Sequence, residues 1–235
     1  MRAVHADSKR QLLDKPPQPP HSLKMHTILT FGDSNTHGTL PMTQRGAYHR
    51  YPIGVRWPTV MARHLGPDWA LIEEGLPGRT TQHDDPVMDG VMNGFPALRQ
   101  ALQSHGPLDV VTLMLGTNDT KSRFAATPES ITAGCAALLD LALGDEMQSR
   151  HNGFKLVLIS PPAVTETGIL ATEFLGATPR SQALPCHLRA LATAKGTAFL
   201  DAAAHVSTSP IDGVHLTADS HQTLGDAVAR TVQTL

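Results

Sequence analysis

A serine, a glycine, an asparagine and an aspartate–histidine pair occur in the sequence at intervals that could perform acyl transfer. Ser34 lies in Gly32-Asp33-Ser34-Asn35-Thr36-His37-Gly38, and Gly78 in Gly75-Leu76-Pro77-Gly78-Arg79-Thr80-Thr81. Asn118 lies in Gly116-Thr117-Asn118-Asp119, and Asp212 stands three residues before His215. A serine hydroxyl is a poor nucleophile until a general base takes its proton. Histidine supplies that base, and a carboxylate beside it fixes the tautomer and stabilises the imidazolium. A spacing of three in a turn or first helical twist can bring Asp212 and His215 to one side. Attack on an acyl carbonyl develops an oxyanion, for which the Gly78 N–H, the Asn118 amide and the Ser34 N–H are candidate donors. Each residue alone also has an ordinary structural role. Ser34 could cap a helix, Asn118 could close an Asx turn and Gly78 could supply a positive φ. His215 is one of thirteen histidines. The joint order carries the catalytic reading.

The elements that must position these residues are legible as apolar runs. Five are rich in β-formers: residues 27–31 (TILTF), 69–73 (WALIE), 109–115 (DVVTLML), 155–160 (KLVLIS) and 197–201 (TAFLD). Several are apolar nearly throughout, as strands covered on both faces are. Helical patterns lie between them at 57–65, 127–143, 180–195 and 217–235. Pro58 and Pro128 fall in first turns, where proline is tolerated, and Gly196 falls at a C-cap. Strands alternating with helices predict a parallel sheet with helices on both faces. Such a sheet binds ligands beyond the carboxyl ends of its strands. The polar and glycine blocks follow four of the five runs, where that crevice should lie.

Composition narrows the function classes. The chain has 235 residues, 40% of them hydrophobic, enough for one sizeable core. A net charge of −2, from 19 Lys+Arg and 21 Asp+Glu, shows no basic face for nucleic acid. No apolar run approaches the ~18 residues of a membrane span. Two cysteines, Cys135 and Cys186, cannot build a disulfide framework or a cysteine zinc site, and both are expected as buried or inert thiols. Residues 1–25 include KPPQPPH and no apolar leader core, so they are expected to be a flexible tail before one domain at 26–235. Met25 could be the genuine start, and a cytoplasmic location is expected.

Other motifs are weaker. G-x-S-x-G is absent because Thr36 follows Ser34 by two, which disfavours the α/β-hydrolase fold. No dinucleotide or phosphate-loop pattern follows a strand. His83-Asp84-Asp85 reads as loop polarity rather than a metal site. Arg79 is expected to pair with a carboxylate such as Asp84 or Glu74. His221, a rival to His215, is expected to face solvent from the last helix.

Taken in order, these blocks resemble the SGNH hydrolases, or GDSL-type esterases. The match lies in Gly32-Asp33-Ser34-Asn35, Gly78, Gly116-Thr117-Asn118-Asp119 and Asp212-x-x-His215. Longer stretches, VRWPTVMARHLG, LIEEGLPGRTTQHDDP and LDVVTLMLGTNDTK, are similar to the bacterial arylesterase/acyltransferase subgroup. The resemblance implies a flavodoxin-like three-layer α/β/α fold with a five-stranded parallel sheet. It implies Ser34 as nucleophile, His215 as base and then acid, and Asp212 as its orienter. The Ser34 N–H, Gly78 N–H and Asn118 side chain would form the oxyanion hole. It implies no metal or organic cofactor, a small-molecule ester as substrate and a homo-oligomer. The activity implied is hydrolysis of short-chain or aryl esters through an acyl-enzyme, with acyl transfer to alcohols or peroxide. A carbohydrate O-acetylesterase or a thioesterase/lysophospholipase would use the same centre, and an inactive binding module is the non-enzymatic alternative. Two departures stand out. Asn35 stands where a leucine is common, with little effect expected, and similar proteins often carry a tryptophan near His37, where a histidine makes the mouth more polar and less suited to acyl transfer over hydrolysis. The loops at 39–56 and 161–179 are expected to border the acyl pocket.

Overall fold

The structure, a computed structural model, describes residues 25–235. The tail expected at 1–25 lies outside the described residues except for Met25. Five strands, β1 (His26–Gly32), β2 (Trp69–Gly75), β3 (Val110–Met114), β4 (Lys155–Ser160) and β5 (Ala198–Asp201), form one parallel sheet in the order β2-β1-β3-β4-β5. The three-layer α/β/α expectation holds, and each strand lies within two residues of its expected bounds. Every residue of β3 is buried, as a strand covered on both faces requires.

Side-chain alternation along the strands feeds two cores. Leu29, Phe31, Val111, Leu113, Leu156 and Leu158 pack toward α3 (Gly94–Ser104), α4 (Pro128–Leu143) and α6 (Ala177–Lys195). Ile28, Val110, Met114, Val157 and Ile159 pack toward α2 (Trp57–Leu65) and α7 (Ala218–Val232). Trp57 and Phe31 are fully buried, each worth about 1.5–3 kcal/mol or more of apolar transfer.

Local chemistry sets the helix ends. Thr127 and Ser130 form a reciprocal capping pair at the start of α4, with Pro128 in the first turn. Helix α6 starts three residues before the expected 180, after Gly176 in the left-handed region, and it accommodates Pro185 inside. Helix α3 is not among the expected helices, although Leu98, Ala101 and Leu102 recur at helical spacing and are buried. Asn93 starts it by accepting the Phe95 N–H at 3.0 Å. Two short helices, α1 (Ser34–His37) and α5 (Asp145–Arg150), complete the set. Cys135 is buried as expected, whereas Cys186 is exposed on α6. No helix among the described residues is long and apolar enough to cross a membrane.

Strand order reverses at β1, which has β2 on one side and β3 on the other. The crevice beyond the carboxyl ends of β1 and β3 is the switch point where ligands bind in such sheets.

Candidate active site

Ser34 opens α1 directly beyond β1. Asp33 caps this one-turn helix, its Oδ1 accepting the Asn35 N–H at 2.9 Å. Burial pushes the Asp33 carboxyl up to about 6, although the Asn35 N–H and the nearby His215 charge pull the other way.

Asp212 and His215 lie in a tight loop before α7. Asp212 Oδ1 accepts the N–H groups of Val214 (3.1 Å) and His215 (3.0 Å). Its Oδ2 accepts the Met42 N–H at 2.7 Å and faces His215 Nδ1 at 2.7 Å. Burial opposes ionisation of Asp212, but the His215 ring and these N–H donors outweigh it and hold the carboxyl below its ordinary value. A carboxylate only accepts, so Nδ1 carries the proton and Nε2 is left as an acceptor. Gly213 lets the loop form: its φ is +72°, and a Cβ there would lie 1.8 Å from the Thr165 carbonyl oxygen.

Asn35 has a role that the sequence did not reveal. Its Nδ2 donates to the Val214 carbonyl (3.0 Å), and its Oδ1 accepts the Leu216 N–H (3.0 Å). These bonds grip the backbone on both sides of His215, across more than 170 positions of sequence. The side chain faces the histidine loop, contrary to the expectation that it is incidental.

The other two blocks converge on the same crevice. Asn118 donates from Nδ2 to the Arg79 carbonyl at 3.0 Å, leaving its second amide hydrogen free. Asp119 accepts the Thr81 N–H and hydroxyl, tying the Gly78 block to the Asn118 block. Gly78 has φ +91°, and a Cβ would lie 2.6 Å from Met88 Cε. Arg79 does not pair with a carboxylate as expected. Its buried guanidinium donates to the carbonyls of Gly32 and Glu74 and lies 4.1 Å over the Phe31 ring. Burial lowers its pKa to about 10.

Ser34, Gly78, Asn118 and His215 line one cavity of about 100 Å³. Met42, Met88, Leu170, Phe174 and Val214 form its apolar wall, and Arg45, Lys121 and Glu173 add charge. The loops at 39–56 and 161–179 therefore border it, through Met42, Arg45, Leu170 and Phe174 among others. His37 lies to one side, lining an adjoining cavity.

His221 is buried, not solvent-facing. Its Nδ1 accepts the Trp57 N–H at 3.2 Å, capping α2, whose N-cap residue Arg56 offers no side-chain bond. Burial, with the His215 charge, lowers its pKa to about 3, which keeps the ring a neutral acceptor. Asp84 and Asp85 diverge, the first to the Asn93 amide and the second to Arg123. Among the described residues, no group of three His, Cys, Asp or Glu could hold a metal.

Comparison with known proteins gives a family and structural relatives. The chain matches the model of the GDSL-like Lipase/Acylhydrolase family over residues 30–223. The native M. smegmatis aryl esterase structure has a TM-score of 0.85 and 37% identity, over 89% of this chain and 99% of that one. Est24, a carbohydrate acetylesterase from Sinorhizobium meliloti, gives 0.84 and 38% over 89% and 99%. No curated protein matches the chain.

Proposed function

This chain belongs to the GDSL-like lipase/acylhydrolase family of carboxylic ester hydrolases, and we propose that it cleaves short-chain and aryl esters through an acyl-enzyme on Ser34. The observation that carries the proposal is His215, which lines the Ser34 cavity while Asp212 holds its Nδ1 at 2.7 Å. Ser34 Oγ attacks the ester carbonyl as His215 Nε2 takes its proton. Asp212 stabilises the imidazolium that forms. The oxyanion receives the Ser34 and Gly78 N–H groups and the free Asn118 amide hydrogen. His215 returns the proton to the departing alcohol, then activates water to release the acid. An alcohol or peroxide in place of that water would accept the acyl group.

Cavity size supports a short acyl group, since about 100 Å³ is far below the ~300–1,000 Å³ of sites for larger ligands. The apolar wall of Met42, Met88, Leu170 and Phe174 suits an aryl or alkyl ester. The charged side chains Arg45 and Glu173 at the same cavity favour a second reading, an acetylated sugar, whose hydroxyls they could bind. A homo-oligomer is also proposed. Exposed Tyr48, Ile53, Val87, Val91 and Leu175 supply apolar surface for it, and native mass tests it.

Purified protein should release p-nitrophenol from p-nitrophenyl acetate in a burst, and Ser34→Ala should abolish turnover. A Ser34→Ala protein with the wild-type rate would overturn the assignment. Comparing aryl acetates with acetylated sugars and acyl thioesters separates the substrate readings.

A further inference from the structure

Of the charges in the cavity, one is neither used by the chemistry at Ser34 nor well paired. Lys121 follows the Asn118 turn and is only 4% exposed, yet it lines the cavity that Ser34 and His215 line. Its ammonium has three hydrogens to donate. The Met88 sulfur at 3.5 Å is a weak acceptor. Among the described residues, the one carboxylate oxygen within 4.0 Å is Asp85 Oδ2 at 3.7 Å, too far for a hydrogen bond.

That carboxylate is already engaged. Arg123 donates to Asp85 Oδ2 at 2.8 Å, and the N–H groups of Val87 and Met88 donate to Oδ1. Glu173 is likewise held, by Arg45 at 2.5 Å and by Arg123 at 3.4 Å. In this cluster the cations Arg45, Lys121 and Arg123 pair with Asp85 and Glu173, and Asp33 adds a more distant negative charge toward Lys121. Of the three cations, Lys121 is the one without a good hydrogen-bond acceptor, and the Phe174 ring 6.0 Å from its Nζ offers only a weak cation–π contact. Burying such a group is costly unless something completes it. Burial, then the Arg123 charge, accordingly lowers its pKa from the ordinary value. A methionine would fill the same space without that cost, so the ammonium needs a reason to be there.

We infer that Lys121 is a specificity residue that binds a carboxylate carried by the substrate, so that this esterase prefers esters with an anionic group near the scissile carbonyl. The inference rests on the Ser34 reading above and adds the chemical class of the substrate. The carboxylate can come from the acyl side or from the alcohol side.

Two substrate pairs distinguish these sources. On the acyl side, mono-4-nitrophenyl succinate is compared with 4-nitrophenyl butyrate. On the alcohol side, 4-acetoxybenzoate is compared with 4-methylphenyl acetate. The readout is the anionic-to-neutral ratio of kcat/KM in wild type and in Lys121→Met. In at least one pair the ratio should fall tenfold or more in the variant, mainly through KM, and Lys121→Arg should restore part of it. Ratios unchanged within twofold in both pairs would overturn the inference while leaving the Ser34 esterase standing. Wild type failing on all four esters would remove both. A test that needs no variant uses competitive inhibition of p-nitrophenyl acetate hydrolysis by wild type. Succinate or 4-hydroxybenzoate should bind at least tenfold more tightly than succinamide or 4-methylphenol. Equal inhibition constants in both comparisons would also overturn the inference.

Discussion

Replacing Asn35 with leucine should damage this protein twice. Leucine keeps the volume but neither polar atom. The Val214 carbonyl and the Leu216 N–H, each 3.0 Å from the Asn35 amide, would both lose their partner in a buried site. A buried backbone group left unsatisfied costs ~1–3 kcal/mol, so the pair should cost roughly 3 kcal/mol or more. In a chain of this size that lowers Tm by about 6–12 °C. The same bonds flank His215, so its ring should also lose its fixed position relative to Ser34. A misplacement of about 1 Å can cost ~100-fold in rate, so kcat should fall about ten- to a hundredfold with little change in KM. Thermal scans and initial rates on p-nitrophenyl acetate measure both effects. A variant with wild-type Tm and wild-type kcat would refute the claim that Asn35 holds the histidine loop.

Further outcomes follow from the same geometry. Asp33→Asn should raise Tm at neutral pH, because a carboxyl raised from 3.8 to about 6 opposes folding once ionised, by as much as about 3 kcal/mol. Since the folded-state pKa is the higher one, that gain should shrink as pH falls through 6 and vanish below 3.8, whereas a gain that grows in acid would contradict it. His221 has the opposite sign: its folded-state pKa is depressed to about 3, so its contribution is complete above 6.5 and lost as pH falls. His221→Leu should therefore lower Tm at pH 7, by orphaning the Trp57 N–H, yet lose less further stability than wild type between pH 6.5 and 4. Asn118→Ala should reduce kcat by about 10²-fold or more if its amide meets the oxyanion, with rates on p-nitrophenyl acetate as the check.

The sequence made the strand ends readable because the chemistry there is written in contiguous blocks. Ser34, Gly78 and Asn118 each follow an apolar run that needs no distant partner to be recognised, and Asp212 and His215 sit in one turn. What stayed hidden depends on residues far apart in the chain. The Asn35 grip on the histidine loop joins the one-turn helix after β1 to the loop before α7. The His221 cap on α2 spans 164 positions, and a histidine in a helix gives no local sign of which way it points. Arg79 misled because a surface arginine seeks carboxylates, whereas this one is buried against Phe31 and donates from one nitrogen to main-chain carbonyls. Lys121 lay in a recognisable stretch, but its shortage of acceptors is a property of three dimensions. Helix α3 was legible in part, since Leu98, Ala101 and Leu102 recur at helical spacing behind the Asn93 cap.

The central claim is that one serine is activated by the His215–Asp212 pair. Labelling with a fluorophosphonate, followed by mass mapping, tests it most directly. One adduct per chain on the peptide containing Ser34, formed in step with loss of esterase activity and much slower in His215→Ala, is the expected result. An adduct on another residue, or an unlabelled and fully active protein, would contradict the account.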